Sequence, residues 1–366
     1  MPKKLNILVA ALDWGLGHAA RSLPLIDELR HQGAQPVLAS AGRAGRFLQA
    51  ERPGLPYLPL PAYDIRYASA SMVWNMARQG PGLLKTVMAE HHALQGYIRR
   101  HQIGGVISDN RFGCFTKACP TVFLTHQLHI RTPSQWTGAL ANWLNTGFIR
   151  RFGACWVPDY EGHANLSHEL GHPPLSGLPT CYIGALSRFS AQGQPVLPPP
   201  AYESMTVLSG PEPQRSRLEQ ELLAQLTRLP GRHLLAQGIP VQGGAKQVGR
   251  VTVYPYLGQR QLAVLARQSQ VVISRPGYSS LMDWSALGVR HLLLIPTPGQ
   301  TEQEYLAQHW ENNGMAAVQQ QGRVALAQGL AAAKRTAESP LLPATGNSLL
   351  RQAVAGFLSR CRASAG

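Results

Sequence analysis

The chain alternates short runs of Val, Ile and Leu with longer segments in which apolar residues recur every three or four positions. The short runs are typical of strands buried on both faces of a parallel sheet, and the longer segments are typical of the helices that cover such a sheet. The predicted strands lie at residues 6–12, 36–41, 57–61, 105–110, 121–125, 154–159, 206–210, 233–238, 251–257, 271–274 and 291–296. The pattern predicts an α/β protein.

A segment near the middle of the chain interrupts this alternation. Residues 190–202, SAQGQPVLPPPAY, are rich in Pro and Gly and have no periodicity, so we predict a linker there. The linker separates a first domain at residues 1–189 from a second at 203–345. Residues 346–366 have apolar positions at helical spacing, and we expect this helix to pack back on the first domain. We therefore expect two Rossmann-like doubly wound domains that face each other across a cleft.

The balance of charge narrows the classes of partner. Lys and Arg total 34 against 19 Asp and Glu, which gives a net charge of +15 and favours anions such as nucleotides or acidic lipid head groups. The basic residues are spread evenly and form no block, so we expect no nucleic-acid partner. The five cysteines lack metal-ligand spacing and indicate reduced thiols in a cytoplasmic protein, and no apolar run is long enough to span a membrane.

The first predicted strand runs into a glycine-rich turn that carries a histidine. Gly15 and Gly17 let the backbone approach a ligand, and a helix is predicted to begin near His18. A helix N-terminus disfavours the imidazolium form, so we expect His18 to be neutral and able to act as a general base. Arg21, on the same helix face, is suited to a phosphate or a carboxylate. A simpler interpretation is that His18 only caps the helix.

Two further residues are alternatives for the catalytic base. Asp109 ends the predicted strand at 105–110, and His126 follows the strand at 121–125. The carboxyl ends of parallel strands share one sheet edge, so we expect both side chains near the same cleft as His18.

In the second half, polar and glycine residues follow several predicted strands. Helix N-termini after such strands bind phosphates, because their free N–H groups and the helix dipole favour an anion. We expect the basic side chains to bind a diphosphate, and the carboxylate at 283 to accept hydrogen bonds from ribose hydroxyls. We expect the residues at 300–304 to bind the hydroxyls of the sugar, and those at 256–257 to contact the nucleotide base. The candidate residues are Ser209, Gly210, Arg215, Tyr256, Leu257, Arg275, Gly277, Tyr278, Ser279, Ser280, Asp283, Gln300, Gln303 and Glu304.

These motifs resemble the family 28 glycosyltransferases, a group with the GT-B fold that includes the lipid-linked N-acetylglucosaminyltransferase of peptidoglycan synthesis and related UDP-glycosyltransferases. SRPGYSSLMDWSALG is similar to that family's SRxGxxTxxE segment, with Asp283 in place of the ribose-binding Glu. PTPGQTEQEY is similar to its donor-sugar segment, with Gln303 and Glu304 where two glutamines usually stand, and GLGH matches the turn that carries its His. Residues 60–180, where acceptors bind in this fold, show no such match.

The resemblance implies an inverting transfer of a sugar from a nucleoside-diphosphate donor, a UDP-sugar, to an acceptor hydroxyl, with His18 as base. It implies no cofactor beyond the UDP-sugar co-substrate, and the sequence has no Asp-x-Asp pair to hold a metal ion. A UDP-sugar epimerase or hydrolase of the same fold is the alternative. A nicotinamide dehydrogenase fits less well, because Ala20 occupies the third glycine position of its loop. A non-catalytic nucleotide sensor is a further alternative.

The acceptor is left open, with a lipid or a glycan as the two candidate classes. Residues 136–151 hold two tryptophans and several leucines and end in two arginines, and residues 72–88 are similarly apolar. Such a helix either rests on an anionic membrane surface, which would place the protein peripherally at the inner face, or packs in the core against the sheet. We favour core packing from the sequence.

Overall fold

The computed structural model of the protein describes residues 4–14, 16–63, 72–132, 135–162, 165–189, 199–239, 243–336 and 346–365. Gly15 and most of the predicted linker lie outside these residues. The chain forms two compact units, residues 1–188 with 344–366 and residues 189–343. Each unit is built around one sheet.

The first unit contains a seven-stranded parallel sheet. Its strands are β1 (Asn6–Ala11), β2 (Gln35–Ser40), β3 (Tyr57–Pro59), β4 (Ile103–Asp109), β5 (Thr121–Leu124), β6 (Ala154–Val157) and β7 (Thr180–Tyr182). The order across the sheet is β3-β2-β1-β4-β5-β6-β7, so the direction of strand addition reverses at β1. The crevice beyond β1 and β4 is where sheets of this kind bind ligands.

Helices cover the sheet of the first unit. They are α1 (Gly17–His31), α2 (Gly42–Glu51), α3 (Met72–His101) and α4 (Gln135–Ile149). The apolar face of α1, including Leu23 and Ile26, packs with β1 and β5 in the main core cluster. The sequence places these apolar residues three apart, which is the spacing that buries one face of a helix.

The second unit contains another seven-stranded sheet. Its strands are β8 (Tyr202–Val207), β9 (His233–Ala236), β10 (Lys246–Val248), β11 (Val251–Tyr254), β12 (Ser269–Ser274), β13 (His291–Leu294) and β14 (Ala317–Val318), and its helices are α5 (Gln214–Leu226), α6 (Gln259–Arg267), α7 (Tyr278–Leu287), α8 (Thr301–Asn312) and α9 (Leu326–Ala333). The order is β10-β11-β9-β8-β12-β13-β14, with the reversal at β8. Among the described strands of this sheet, only β10 runs antiparallel to its neighbour.

The last helix of the chain, α10 (Gly346–Ala365), belongs to the first unit. Phe357 is fully buried and its ring lies 5.8 Å from that of Trp156 on β6. Gly105 on β4 makes room for this contact, since a Cβ there would lie 2.8 Å from the Phe357 ring and 2.6 Å from Cys361 Sγ. The helix therefore completes the core of the first unit.

Every strand predicted from the apolar runs is present, although most end one to three residues earlier than predicted. The sequence patterns did not predict β7, β10 and β14, which are two or three residues long and lie at or next to sheet edges. Short edge strands have little buried apolar surface, so they leave no hydrophobic run in the sequence.

Candidate active site

The carboxyl ends of β1, β4 and β5 bring distant residues together. Ala11 on β1 pairs with Asp109 on β4, which pairs in turn with Leu124 on β5. The first turn of α1 carries His18 directly above the end of β1, and His126 follows β5 by two residues. The strand register therefore converts separations of about 90 to 105 residues along the chain into direct contacts.

Four polar side chains meet at this edge. Arg21 Nε donates to Asp109 Oδ2 at 2.8 Å, and Arg21 Nη2 donates to Asp109 Oδ1. His18 Nδ1 lies 2.9 Å from Asp109 Oδ1, and Arg21 Nη1 lies 3.1 Å from Nδ1 of His126. The side chain of His18 is 17% exposed, whereas those of Arg21 and Asp109 are 1% exposed. Of these two residues, His18 and Asp109, His18 is therefore the one that is exposed enough to contact a ligand.

Charges and burial fix the protonation of this cluster. Burial alone would raise the pKa of Asp109, but the charge of Arg21 and the hydrogen bonds from Arg21 and His18 outweigh it and lower the pKa to about 2. Burial, and after it the charge of Arg21, lower the pKa of His18, although Asp109 acts in the opposite direction. Near neutral pH the site therefore holds an ionised Asp109 beside a neutral imidazole.

A second buried arginine, which the sequence did not point to, holds the loop that leads to His18. Arg111 donates to Glu90 at 2.7 Å, to Asp13 at 3.0 Å and to the carbonyl of Pro61 at 3.1 Å. The other oxygen of Glu90 accepts from the hydroxyl of Tyr63 at 2.7 Å. This network ties the loop after β1 to α3 and to the segment after β3. Its partners are far apart in the sequence, so no local motif reveals it.

In the second unit the loops after β8, β12 and β13 lie at one sheet edge. Val207 and Leu294 both pair with Ser274, so the three strands end at the same level. The loops also approach each other, since a Cβ on Gly210 would lie 3.8 Å from Thr297 Oγ1. Gly210 has a φ of +105°, a backbone conformation that residues with a side chain rarely adopt. The helices α7 and α8 begin at this edge.

Thr297 is a residue of this edge that the sequence-based candidates omitted. It is 2% exposed, and among the described residues its Oγ1 has no hydrogen-bond partner. A buried hydroxyl without a partner costs free energy, so a ligand oxygen is a natural partner for it. The signal that locates it is structural, because nothing in the sequence shows that its hydroxyl is unsatisfied.

The predicted donor-sugar residues fold back on the loop after β13. Gln303 Oε1 accepts from the backbone N–H of Thr297 at 2.8 Å, and Glu304 Oε1 accepts from that of Gly299 at 3.0 Å. The Nε2 group of Gln303 donates to Gln300 Oε1. These side chains therefore fix the shape of the loop, and Glu304 and Gln300 remain at least partly exposed.

The structure gives Arg275 a role different from the predicted contact with a diphosphate. Arg275 is 1% exposed, and its Nη1 donates to the carbonyls of Ile295 and Pro296 at 2.8 and 2.9 Å. Its Nη2 donates to Gln321 Oε1 at 2.5 Å. Burial lowers the pKa of Arg275 to about 10. The side chain of Arg275 links the ends of β12 and β13 through these hydrogen bonds, so the predicted direct contact with a phosphate is not supported.

Arg215 is likewise occupied by the protein itself. Its Nε donates to Glu212 at 2.6 Å, its Nη1 to Glu219 at 2.7 Å, and its Nη2 to the hydroxyl of Ser216 at 2.8 Å. Two carboxylates already neutralise its charge, so the predicted contact with a diphosphate is not supported by this arrangement.

The remaining candidates differ in accessibility. The side chains of Tyr278 and Leu257 are buried in the second unit, which leaves only their backbone groups for a ligand. Gly17 begins α1, and Gly15 falls outside the described residues. The candidates at least partly exposed on the second unit are Ser209, Gly210, Tyr256, Gly277, Ser279, Ser280 and Asp283.

Comparison with known proteins identifies the second unit. Residues 216–352 match the model of the glycosyltransferase family 28 C-terminal domain. The glycosyltransferase of kitacinnamycin superposes with a TM-score of 0.63 at 16% identity, over 99% of this chain and 98% of that chain. The protein is a glycosyltransferase of the GT-B fold. No curated protein matches its sequence significantly.

Two other solved glycosyltransferases share the fold across their whole length. MurG of Acinetobacter baumannii superposes with a TM-score of 0.56 at 14% identity, covering 97% of this chain and 100% of that chain. SsfS6 of Streptomyces sp. SF2575, solved with thymidine diphosphate, gives a TM-score of 0.57 at 16% identity, covering 97% and 96%. These likenesses show that the chain shares this fold along almost its whole length.

The first unit of the glycosyltransferase also presents an apolar surface. The prediction that the helix at 136–151 packs in the core was wrong for one face of α4. On that face four large apolar side chains are exposed: Trp136 by 88%, Trp143 by 72%, Leu140 by 59% and Leu144 by 46%. Leu84 and Met88 on α3 are also exposed, while residues 72–81 have no described side-chain environment. We call these six residues the α3–α4 surface.

Two features are absent from the described part of the chain. Within it, no cluster of three or more His, Cys, Asp or Glu side chains is suited to hold a metal ion. None of its helices combines the length and apolar character needed to cross a membrane.

The buried ion pair at the site gives a stability prediction. Asp109→Asn leaves the guanidinium of Arg21 buried without its counter-charge, so we expect the free energy of unfolding to fall by about 3–5 kcal/mol. Asp27→Asn is the matched control, because Asp27 is 48% exposed where it pairs with Arg52 and should cost less than about 1 kcal/mol. Urea-induced unfolding measures both, and equal small losses would contradict the buried pair.

Proposed function

We propose that the protein is an inverting, metal-independent glycosyltransferase that moves a sugar from a UDP-sugar to an acceptor hydroxyl, with His18 as the general base. The observation that carries the proposal is the contact between His18 and Asp109 at the edge of the first sheet. A neutral imidazole whose Nδ1 proton points to a buried carboxylate has a lone pair at Nε2, which is the arrangement of a base.

The reaction can be written from this geometry. His18 Nε2 takes the proton of the acceptor hydroxyl as the oxygen attacks the anomeric carbon from the face opposite the leaving group. The bond from the anomeric carbon to the diphosphate oxygen breaks, and the nucleoside diphosphate leaves with the electron pair. The imidazolium formed at His18 is stabilised by Asp109, which stays ionised because of Arg21.

The second unit supplies groups suited to the leaving diphosphate. Gly277 is the N-cap of α7 and has no side chain to cap the helix, and a helix N-terminus of this kind favours an anion. The unpartnered hydroxyl of Thr297 lies in the loop before α8. Backbone N–H groups and a helix dipole stabilise developing negative charge without rearranging during the reaction.

We further propose that the acceptor is amphiphilic and is collected from an anionic membrane surface by the α3–α4 surface. The helix α4 has no acidic residue, and Arg150 and Arg151 follow its end. Its buried side is anchored by Phe148, which joins a cluster with Leu12 and Trp14 of the loop that precedes His18. The exposed tryptophans therefore stand on the same packing unit as the catalytic loop, and the positive charge favours an anionic interface.

The proposed base is tested by His18→Gln. Without a proton acceptor we expect kcat to fall by about 10²- to 10⁴-fold while the affinity for the nucleotide stays unchanged. His31→Gln, on the same helix and with a 72% exposed side chain, is the matched control and should behave as wild type. Undiminished turnover in His18→Gln removes the histidine from the mechanism, and rapid conversion of the donor without acceptor would instead favour an epimerase or hydrolase.

The donor site is tested by Thr297→Val, which keeps the shape of the side chain and removes its hydroxyl. If the hydroxyl binds a diphosphate oxygen, affinity for UDP should fall about tenfold, while stability is unchanged or higher. Thr297→Ser keeps the hydroxyl and should bind as wild type. Titration calorimetry with UDP, dTDP and GDP measures this, and the strongest binding is expected for UDP. Equal affinity in both variants, or no binding of any diphosphate, contradicts the proposed site.

The membrane proposal is tested by the double change Trp136→Ala and Trp143→Ala. Both side chains are exposed, so the fold should be unaffected, while co-sedimentation with vesicles containing anionic lipid should be largely lost. Val264→Ala removes a 54% exposed side chain in the second unit and serves as control. Binding by the wild type should weaken at high salt. A wild type that does not sediment, or a double variant that sediments equally, contradicts the proposal.

A further inference from the structure

Arg21 makes more contacts at the site than an ordinary ion-pair partner. It is 2% exposed and binds both oxygens of Asp109, while its third nitrogen, Nη1, lies 3.1 Å from Nδ1 of His126. It is also three residues from His18 on the same helix, and its Nη2 lies 2.9 Å from His18 Nδ1. One guanidinium thus touches the carboxylate and both histidines.

The contact with His126 defines the proton position on that ring. A guanidinium only donates hydrogen bonds and does not lose its proton in proteins, so Nδ1 of His126 must accept. The neutral ring then carries its single proton on Nε2. This tautomer has no lone pair at Nε2 and its Nδ1 lone pair is already used, so His126 is not equipped to take a proton from a substrate.

The contacts of His18 define the opposite tautomer. The ionised Asp109 can only accept, and its Oδ1 lies 2.9 Å from Nδ1 of His18, so Nδ1 must carry the proton. If Nδ1 instead accepted from Arg21 Nη2, its lone pair would face that of Asp109 Oδ1 at hydrogen-bond distance. Both N–H groups therefore converge on Oδ1, and the neutral ring of His18 has its lone pair at Nε2.

We propose that Arg21 is the positioning residue of this site and that its guanidinium sets His18 and His126 in opposite tautomers, so that only His18 can accept a proton. The tautomers follow from the contacts alone, whereas the use of His18 as the base rests on the proposed function. The proposal removes His126 from the alternatives for the base and gives Arg21 a role within the protein in place of a ligand phosphate.

Arg21 also offsets the charge of Asp109. The charged and titratable groups that face His18 are Arg21 from α1, Asp109 from the end of β4 and His126 from the segment after β5. A carboxylate alone would favour the imidazolium, and the adjacent guanidinium opposes this, which helps to keep the pKa of His18 below its ordinary value. The histidine is therefore oriented by a carboxylate without being held protonated by it.

The tautomers are directly measurable in the full-length protein. Histidine labelled with ¹⁵N distinguishes a protonated ring nitrogen from one with a lone pair by chemical shift, and His18→Gln and His126→Gln assign the two rings. We expect the protonated nitrogen to be Nδ1 in His18 and Nε2 in His126 near neutral pH. The wild-type spectrum is sufficient to decide: the same tautomer in both rings, or the reverse assignment, overturns the proposal.

Variants of Arg21 test its role as the cause. Arg21→Gln should let His126 exchange between tautomers and raise the pKa of His18, moving the acid limb of the kcat profile to higher pH, with KM for the donor unchanged. Arg21→Lys keeps the charge but not the fork of donors, so the pKa should move less while the tautomer of His126 is still released. Arg52→Gln removes an arginine paired with Asp27 and should leave both rings unchanged.

The outcomes separate this proposal from the proposed function. Expected tautomers in a protein that transfers no sugar would leave the role of Arg21 intact and contradict the function. Unchanged ring spectra and an unchanged pH profile in folded Arg21→Gln would contradict the role of Arg21, whatever the enzyme transfers. Circular dichroism reports whether each variant is folded, and the wild-type spectrum carries the test if Arg21→Gln is not.

Discussion

The buried ion pair between Arg21 and Asp109 is the constraint on which the first unit depends. A buried pair of charges is tolerated when its geometry is close and further hydrogen bonds compensate for the lost water, and this pair has a two-point contact between Arg21 and Asp109. To satisfy it, the ends of β1 and β4 must lie in register and α1 must begin at Gly17. The placement of His18 is a consequence of the same register.

Buried arginines perform related structural work elsewhere in the chain. Arg111 holds the loop before α1 through carboxylates and carbonyls, and Arg275 joins the ends of β12 and β13 through carbonyls. In each case one planar side chain satisfies backbone oxygens that a loop would otherwise leave unpaired at a sheet edge. The loops at both sheet edges are thereby held by buried side chains that bond to the protein itself.

Much of the fold followed from the sequence, because buried parallel strands leave uninterrupted runs of Val, Ile and Leu that local reasoning detects. The placement of His18, Asp109 and His126 at one edge also followed, since Asp109 ends one such run and the two histidines lie in the segments that follow two others. The actual partners of Arg275 and Arg215 did not follow. An arginine after a strand has the same sequence pattern whether its partner is a ligand phosphate or a residue of the protein. The partner of Arg275, Gln321, lies 46 residues further along the chain, so local reasoning does not reveal it.

The surface of α4 shows a different limit. Its tryptophans and leucines satisfy the pattern of a core helix, and periodicity alone cannot say whether an apolar face meets the sheet or solvent. In the structure Phe148 and Ile149 are on the inner side and Trp136 and Trp143 on the outer. Clustered exposed apolar side chains often mark a surface that binds another molecule or a membrane.

The attachment of α10 to the first unit has a consequence for biosynthesis. Because Phe357 and Cys361 fill the space beside Gly105, the hydrophobic interior that contains β4 is incomplete until residues beyond 350 have emerged from the ribosome. The intervening unit at 189–343 is contiguous and can close first. The nascent N-terminal sheet therefore stays partly uncovered until residues 346–365 have been translated.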